Sequence, residues 1–224
     1  MTPIAARYEA VRRQVADAAD VAGRDADSVT IVAVTKTVGI EDVRHALEAG
    51  IRDFGENRVQ EFLGKWGLFP TARWHFIGTL QTNKVKDVVG RAYLIHSVDS
   101  LHLLEAIERR AEMAGVVQPV LLQVNVSGEH SKHGFEPSEL GEALAQASRM
   151  DHVAVHGLMT MAPLGRLDDA REVFRGLREL RESFERLPFN GVELNELSMG
   201  MTNDFKVAVE EGSTIVRVGR ALFG

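Results

Sequence analysis

A closed parallel (β/α)8 barrel with one additional helix at its N-terminus is the fold that this sequence predicts. Short runs rich in β-branched residues alternate with longer amphipathic segments, the pattern of strands that are buried on both faces and covered by helices. About eight such units fit into 224 residues, a length that suits a barrel. The alternative is an open doubly wound sheet, but no G-x-G-x-x-G follows the first strand.

The elements follow one another in a regular order. The first helix is predicted within 1–24, where apolar residues have helical spacing and charges of both signs are interspersed. The predicted strands are 29–35, 53–55, 74–77, 93–97, 120–125, 153–159, 193–198 and 214–218. The predicted helices between them include 41–49, 57–66, 101–114, 138–148, 168–186 and 203–210.

Composition favours a single domain over 1–224, with no low-complexity linker. The formal net charge is −6, from 26 Lys and Arg against 32 Asp and Glu, so no basic surface is expected to attract nucleic acid or an anionic membrane. Cysteine is absent, which excludes disulfides and thiolate chemistry and favours a reducing compartment. With neither a signal peptide nor an apolar run of about 20 residues, the sequence predicts a cytoplasmic protein.

Lys36 has a distinctive predicted environment. It follows the first strand, in which alternate side chains face opposite sides, so Val32, Val34 and Lys36 share one face. If the valines fill the barrel, Lys36 points into its mouth, where lost hydration favours the neutral amine that attacks an aldehyde. The alternative is a lysine whose long stem reaches solvent at the end of a strand.

Two turns that contain glycine, after the seventh and eighth strands, predict a phosphate site. The run ELSMGMTNDF at 196–205 leads from a strand into a helix, with Thr202 as its expected N-cap. Gly219 follows the eighth strand, where a short helix can begin. Helix starts carry free backbone amides, and barrels commonly bind phosphate between these two loops. Each turn taken alone is equally consistent with a simple helix cap.

Arg217 is also predicted to point into the barrel mouth, because it shares a strand face with Ile215 and Gly219. A buried guanidinium needs a hydrogen-bond acceptor. The alternatives are a functional contact in the mouth and a salt bridge to a barrel carboxylate, for which Glu56 is the candidate.

Eight short motifs follow one another along nearly the whole chain. They are AVTKT at 33–37, FGENRVQE at 54–61, WHFIGTLQTNK at 74–84, QVNVS at 123–127, SKHG at 131–134, HGLM at 156–159, LSMGMTNDF at 197–205 and GSTIVRVG at 212–219. Together they resemble the YggS/PROSC family of pyridoxal phosphate homeostasis proteins. The departures are small: Thr35 and Thr202 stand where many members have serine, and both keep a hydroxyl.

The resemblance implies a barrel of the alanine racemase N-terminal type that binds pyridoxal 5'-phosphate (PLP). It implies that Lys36 forms a Schiff base with the cofactor, that Asn57 lies beside it and that Arg217 approaches its pyridine nitrogen. The remaining implied cofactor-binding residues are Ser198, Gly200, Thr202 and Gly219, which would surround the phosphate, and Met201.

The same resemblance leads us to expect binding of PLP without demonstrable catalysis. An arginine beside the pyridine nitrogen cannot accept its proton, which weakens the cofactor as an electron sink. In the resembling racemases a tyrosine from another domain is the second acid/base, whereas the tyrosines here are Tyr8, on the first helix, and Tyr93, away from the predicted active rim. The expected function is a carrier or buffer in intracellular PLP homeostasis that supplies apo-enzymes.

Two other functions stay open. A weak PLP-dependent amino-acid racemase or decarboxylase would use Lys36 as its base. An aldolase-like barrel would form a Schiff base between Lys36 and its substrate, and the purified protein would then lack yellow absorbance.

Weaker signals come from histidines and from a loop lysine. His130 and His133 lie three apart, but no third ligand has a convincing spacing, so no metal is expected. Lys132 could carry a secondary Schiff base, although a solvated loop lysine is the commoner case. His75 could line the pocket or could be a hydrogen-bonded core histidine. We expect a monomer.

Overall fold

The structure is a computed structural model that describes residues 2–129, 133–163, 165–184 and 190–224. The α-helices within these ranges are α1 (Pro3–Val21), α2 (Ile40–Glu48), α3 (Val59–Trp66), α4 (Val85–Val88), α5 (Leu101–Ala114), α6 (Leu140–Ala147), α7 (Leu167–Phe184), α8 (Phe205–Glu210) and α9 (Arg220–Phe223). The strands are β1 (Thr30–Val34), β2 (Asp53–Glu56), β3 (Arg73–Phe76), β4 (Leu94–Val98), β5 (Gln118–Gln123), β6 (Val153–Met159), β7 (Val192–Met201) and β8 (Ile215–Val218). Among the described residues, no helix combines the length and the apolar character needed to cross a membrane.

The eight strands close into one barrel in chain order, and every neighbouring pair is parallel. Closure is made between β8 and β1, where Thr30 aligns with Ile215 and Ala33 with Val218. The carboxyl ends of all the strands therefore lie at the same end of the barrel. This architecture confirms the predicted fold class.

The barrel interior contains a compact apolar cluster. Its members come from five strands and are Val32, Leu94, Leu121, Met159 and Ile215. Ala33, the neighbour of Val32 on β1, belongs instead to the larger core that includes the helices outside the barrel. The division confirms the predicted alternation of the first strand, with Val32 facing inward.

Helix α1 is the predicted additional helix, and it packs against α8 and α9 on the outside of the barrel. Its start at Pro3 suits the first turn of a helix, where the missing N–H of proline costs nothing. Its buried face consists of Ile4, Val11, Val15, Ala18 and Ala19. Shortly after the helix, Arg24 Nη1 donates to the carbonyl oxygens of Val209 and Ser213, each at 2.9 Å.

The predicted elements overlap the observed ones and differ mainly at their ends. The predicted helix 57–66 begins two residues later, at Val59. The predicted strand 193–198 extends to Met201, which aligns with Arg217 on β8. The four-residue helix α4 was not predicted, because one turn is too short to show helical periodicity. The four-residue helix α9 begins directly after Gly219, where a short helix was expected.

Candidate functional site

A cleft of about 630 Å³ opens at the carboxyl ends of the strands, a size typical of small-molecule sites. Six of the eight residues that were predicted to bind a cofactor line it: Lys36, Asn57, Met201, Thr202, Arg217 and Gly219. Ser198 and Gly200 are not among its lining residues, although Ser198 is hydrogen-bonded to Arg217 and Gly200 directly precedes Met201. The structure thus brings together side chains from both ends of the sequence.

Lys36 is the second residue after β1, and its side chain is exposed in the cleft. The backbone before it is fixed from outside the barrel, because Lys65 Nζ donates to the Thr35 carbonyl oxygen at 2.7 Å and to Glu56 Oε1 at 2.6 Å. The Thr35 hydroxyl donates to the same carboxylate oxygen at 2.6 Å. A buried ion pair therefore holds the end of β1 in place. The backbone that leads into Lys36 is fixed with it.

The end of β7, from which the chain leads into α8, requires glycine. Gly200 has a φ of +91°, and a Cβ there would lie 2.5 Å from Ala208 Cβ and 2.9 Å from Phe205 Cα. Helix α8 can therefore pack closely against the end of β7. At the last residue of β7, the Met201 amide donates to Asp204 Oδ1 at 2.5 Å, which closes the turn before the helix.

Thr202 joins the two turns that were predicted to bind phosphate. The expectation that Thr202 is the N-cap of α8 is wrong, because Asp204 occupies that position. The Thr202 hydroxyl instead accepts a hydrogen bond from the Gly219 amide at 3.3 Å. Gly219 also lies close to β1, since a Cβ on it would be 3.3 Å from the Val34 carbonyl oxygen. The ends of β7, β8 and β1 therefore meet beside Lys36.

Arg217 is buried and still reaches the cleft. Its Nη1 donates to Ser198 Oγ at 2.6 Å, and its Nη2 donates to the Thr160 carbonyl oxygen at 3.0 Å. The alternative salt bridge to Glu56 is absent, because Glu56 pairs with Lys65. Burial lowers the pKa of Arg217 to about 10, so the guanidinium remains charged at neutral pH.

Buried polar side chains continue inward from Ser198. His96 Nδ1 lies 2.8 Å from Ser198 Oγ, and His96 Nε2 lies 2.9 Å from His75 Nδ1. His75 Nε2 then lies 3.0 Å from Asp53 Oδ1. Burial, with the neighbouring His75 and Arg217, lowers the pKa of His96 well below the usual 6.5. His75 is therefore a hydrogen-bonded core histidine, and it lines a smaller cavity of about 170 Å³ instead of the cleft.

Cationic side chains dominate the wall of the cleft. Lys36, Arg58, Arg217 and Arg220 all line it, and Asp204 is the one acidic residue among its described lining. Burial raises the pKa of Asp204, although the hydrogen bond from the Met201 amide and the nearby Arg217 oppose this effect. The cleft is consequently suited to an anion.

Several lining residues were missed by the sequence reasoning. Gln123 ends β5, while Thr79 and Met161 closely follow β3 and β6, so the rule that barrel sites use strand carboxyl ends could have found them. Gly78 is different, because a Cβ on it would lie only 2.2 Å from the Asn57 carbonyl oxygen. No sequence signal reveals such a contact between two loops.

Other candidate residues lie away from the cleft or outside the described residues. His130 and Lys132 fall outside the described ranges. His133 Nδ1 is 3.4 Å from Asp99 Oδ2. Over the described part of the chain, no group of three His, Asp or Glu side chains is arranged to hold a metal ion.

Sequence comparisons place the chain in a family. The profile of the family described as alanine racemase, N-terminal domain, matches residues 7–224. The chain belongs to this family. Within it, a pyridoxal phosphate homeostasis protein of Aquifex aeolicus is 45% identical over 221 residues, which are 97% of this chain and 96% of the relative. The pyridoxal phosphate homeostasis protein of Escherichia coli K12 is 35% identical over 231 residues, with 100% and 97% covered. The resemblance predicted from the motifs is thereby confirmed.

Solved structures of similar proteins agree with the fold. PipY of Synechococcus elongatus PCC7942, solved with PLP bound, superposes with a TM-score of 0.86 at 36% identity and covers 99% of this chain and 100% of its own. A protein from Bifidobacterium adolescentis superposes with a TM-score of 0.93 at 37% identity and covers 99% of this chain and 94% of its own. Alanine racemase of Clostridium difficile 630 gives 0.74 at 16% identity, with 95% and 56% covered, and shares the fold alone.

Proposed function

We propose that this chain binds PLP in the cleft through Lys36 and acts as an intracellular carrier or buffer of the cofactor. One observation carries the proposal: the amine of Lys36, the turn joined by Thr202 and Gly219, and the guanidinium of Arg217 line a single cleft. PLP has an aldehyde, a phosphate and a ring nitrogen, which suit these three features. The names of the curated relatives and the PLP bound to PipY support the same ligand.

The chemistry of the lining fits this cofactor. The Lys36 nitrogen would form a double bond to the aldehyde carbon, and the aldehyde oxygen would leave as water. Arg58 and Arg220 add positive charge against a phosphate. Asn57 Oδ1 is buried and has no hydrogen-bond partner among the described residues, so it offers an acceptor to a bound group. When bound, PLP supplies a reactive carbonyl carbon and a conjugated ring.

The cleft supports binding better than catalysis. Arg217 can only donate hydrogen bonds, so a pyridine nitrogen held beside it would accept one and stay unprotonated. Neither tyrosine of the chain lines the cleft: Tyr8 lies on α1, and the ring of Tyr93 packs 5.3 Å from that of His75 at the smaller cavity. A second acid/base of the kind expected for a racemase is therefore lacking among the described lining residues.

Binding through Lys36 is tested by absorbance spectra before and after borohydride reduction, followed by peptide mapping. We expect a visible band that borohydride removes and a reduced adduct on the peptide that contains Lys36. Lys36→Ala should abolish both signals. Lys86→Ala, at an exposed lysine on α4, is the matched control and should leave them unchanged. An adduct mapped to another lysine would contradict the proposal.

The carrier function is tested by adding loaded protein to a cofactor-free transaminase. Activity should return faster than free-solution exchange of the same amount of PLP allows. If the return is no faster than that exchange, the carrier proposal fails. Chiral analysis of amino acids incubated with loaded protein tests the racemase alternative, which would be supported by turnover that Lys36→Ala abolishes.

Apo PLP-dependent enzymes are the proposed recipients of the cofactor. The lack of cysteine supports a reducing, cytoplasmic setting. The proposed monomeric state is tested by sedimentation of loaded and cofactor-free protein.

A further inference from the structure

A continuous line of polar side chains crosses the barrel interior and ends at the cleft. It consists of Asp53, His75, His96, Ser198 and Arg217, which lie on β2, β3, β4, β7 and β8, and we name it the interior chain. Consecutive members are 3.0, 2.9, 2.8 and 2.6 Å apart. Each distance is that of a direct hydrogen bond.

The interior chain is shielded from solvent. Every member is buried, and His96 and Ser198 have no exposed surface. Polar groups in such a place are stable only when each has a partner. Its outer end is anchored by Arg73, whose Nη2 donates to Asp53 Oδ2 at 2.5 Å. The cost of burying these groups is offset only if the line is kept complete.

The directions of these hydrogen bonds are fixed from both ends when the imidazoles are neutral. Burial opposes ionisation of Asp53, but the hydrogen bonds from His75 and Arg73 outweigh it and lower the pKa of Asp53. The carboxylate therefore accepts from His75 Nε2–H, which leaves His75 Nδ1 as an acceptor. His96 Nε2–H donates to that nitrogen, so His96 Nδ1 must accept in turn.

The donor and the acceptor function of the Ser198 hydroxyl are then both in use. Its hydroxyl hydrogen is donated to His96 Nδ1, and its oxygen accepts from Arg217 Nη1, which can only donate. The hydroxyl hydrogen of Ser198 is then not available to a phosphate. Thr202 differs, since its hydroxyl accepts from the Gly219 amide and keeps its own hydrogen.

We propose that Ser198, His96, His75 and Asp53 are positioning residues for Arg217, and that Ser198 acts on a bound cofactor only through that guanidinium. The inference rests on the proposed PLP function and deepens it. It changes the role of Ser198 from the phosphate contact implied by the family resemblance. The phosphate is left to the Thr202 and Gly219 turn.

The first test needs no cofactor. Long-range proton–nitrogen NMR of the histidine rings at pH 8 reports which ring nitrogen carries the hydrogen. We expect the Nε2–H form at both His75 and His96. An Nδ1–H form at His96 would free the Ser198 hydroxyl hydrogen and overturn the proposal.

The second test compares PLP with pyridoxal, which has the aldehyde and ring but no phosphate. Ser198→Ala should weaken the binding of both ligands by the same factor, about tenfold for a lost hydrogen bond to a charged group. Thr202→Val, the comparison variant, should weaken PLP and leave pyridoxal unchanged. If Ser198→Ala weakens PLP alone, Ser198 contacts the phosphate and the proposal is wrong.

The third test works at a distance from the cleft. His96→Leu should weaken both ligands as Ser198→Ala does, whereas His96→Gln should recover most of the affinity, because its amide offers one acceptor and one donor. Equal affinities for wild type and His96→Leu would overturn the positioning role. If wild-type protein forms no Lys36 adduct, the proposed function fails, while the NMR result still decides the directions in the chain. Should a variant fail to fold, that same measurement on wild type decides.

Discussion

The backbone amide of Gly219 donates a hydrogen bond to the Thr202 hydroxyl at 3.3 Å, and so one side chain joins the turns after β7 and β8. The two residues are 17 positions apart in the sequence. The turns therefore form one unit whose geometry depends on this contact. A substitution at Thr202 should therefore change the stability of the protein as well as its affinity for a ligand.

Thr202→Val should lower the free energy of unfolding by about 1 kcal/mol, because the Gly219 amide loses its acceptor. Thr202→Ser keeps the hydroxyl and should stay within about 0.5 kcal/mol of wild type. Urea unfolding of cofactor-free protein measures both values. Equal stability of the Val and Ser variants would show that the hydrogen bond contributes nothing.

Gly200→Ala should destabilise the protein by about 3 kcal/mol, since a positive φ and a clash with Ala208 Cβ act together. The matched control is Gly64→Ala, an exposed position on α3 where a new Cβ meets nothing within 4 Å. There alanine should stabilise by about 0.5–1 kcal/mol, because glycine is a poor helix former. Thermal and urea unfolding of both variants measure these changes in stability. A Gly200→Ala variant as stable as wild type would contradict the close packing of α8 against β7.

Lys65→Met should cost about 3–5 kcal/mol of stability, because it leaves Glu56 as an uncompensated buried charge. The double variant Lys65→Met/Glu56→Leu removes both charges and should recover much of the loss. Arg12→Ala breaks an exposed pair with Glu9 and should cost less than about 1 kcal/mol. A single Lys65→Met that unfolds at the urea concentration of wild type would contradict this interpretation.

Stability should fall as the pH drops below about 6.5, because His96 is protonated in the unfolded chain before it is protonated in the folded one. Its folded pKa is the lower of the two, so unfolding takes up a proton in this window, with a slope of about 1.4 kcal/mol per pH unit. The loss ends once the pH is below the folded pKa. His96→Gln should flatten the slope, and His45→Gln, at an exposed histidine, should not. Urea unfolding between pH 5 and 8 measures the free energy of unfolding of wild type and of both variants. The expected difference in slope corresponds to the uptake of at most one proton.

At more acidic pH, a second group should contribute to the loss of stability. The pKa of Asp53 is lowered in the folded state, so its contribution is present above the unfolded value near 3.8 and is lost as the pH falls through the folded pKa. The loss from His96 begins near pH 6.5 and that from Asp53 only below about 3.8, so the effect of His96 can be measured alone between these two pH values. A flat difference between wild type and His96→Gln across both windows would contradict the assignment to His96.

Local patterns were enough to predict the fold and several residues of the cleft that follow β1, β7 and β8. Alternation along β1 placed Val32 inside the barrel, and the position of Lys36 then followed from the same two-residue period. The glycine turn at Gly200 was visible because glycine between a strand and a helix indicates a tight turn. These signals are contained within a few consecutive residues.

The interior chain could not be predicted, because its members are far apart in the sequence. His75 and His96 are 21 residues apart, and His96 and Ser198 are 102 apart. Only barrel closure and the exact strand register bring their ring and hydroxyl groups within hydrogen-bond distance. The pairing of Lys65 with Glu56 was hidden for a similar reason, since a lysine on a helix is usually solvated.

Arg24 connects the segment after α1 to the carbonyl groups of Val209 and Ser213, on either side of the turn that leads into β8. We therefore expect detachment of the N-terminal helix to loosen the segment that leads into β8, the strand that carries Arg217. In native-state hydrogen exchange, the central amides of α1 and those of β8 should open in one cooperative event with a common free energy. Removal of the first helix, which packs outside the barrel, would then loosen the cleft that β8 helps to form. An exchange rate for α1 that is independent of that for β8 would exclude this coupling.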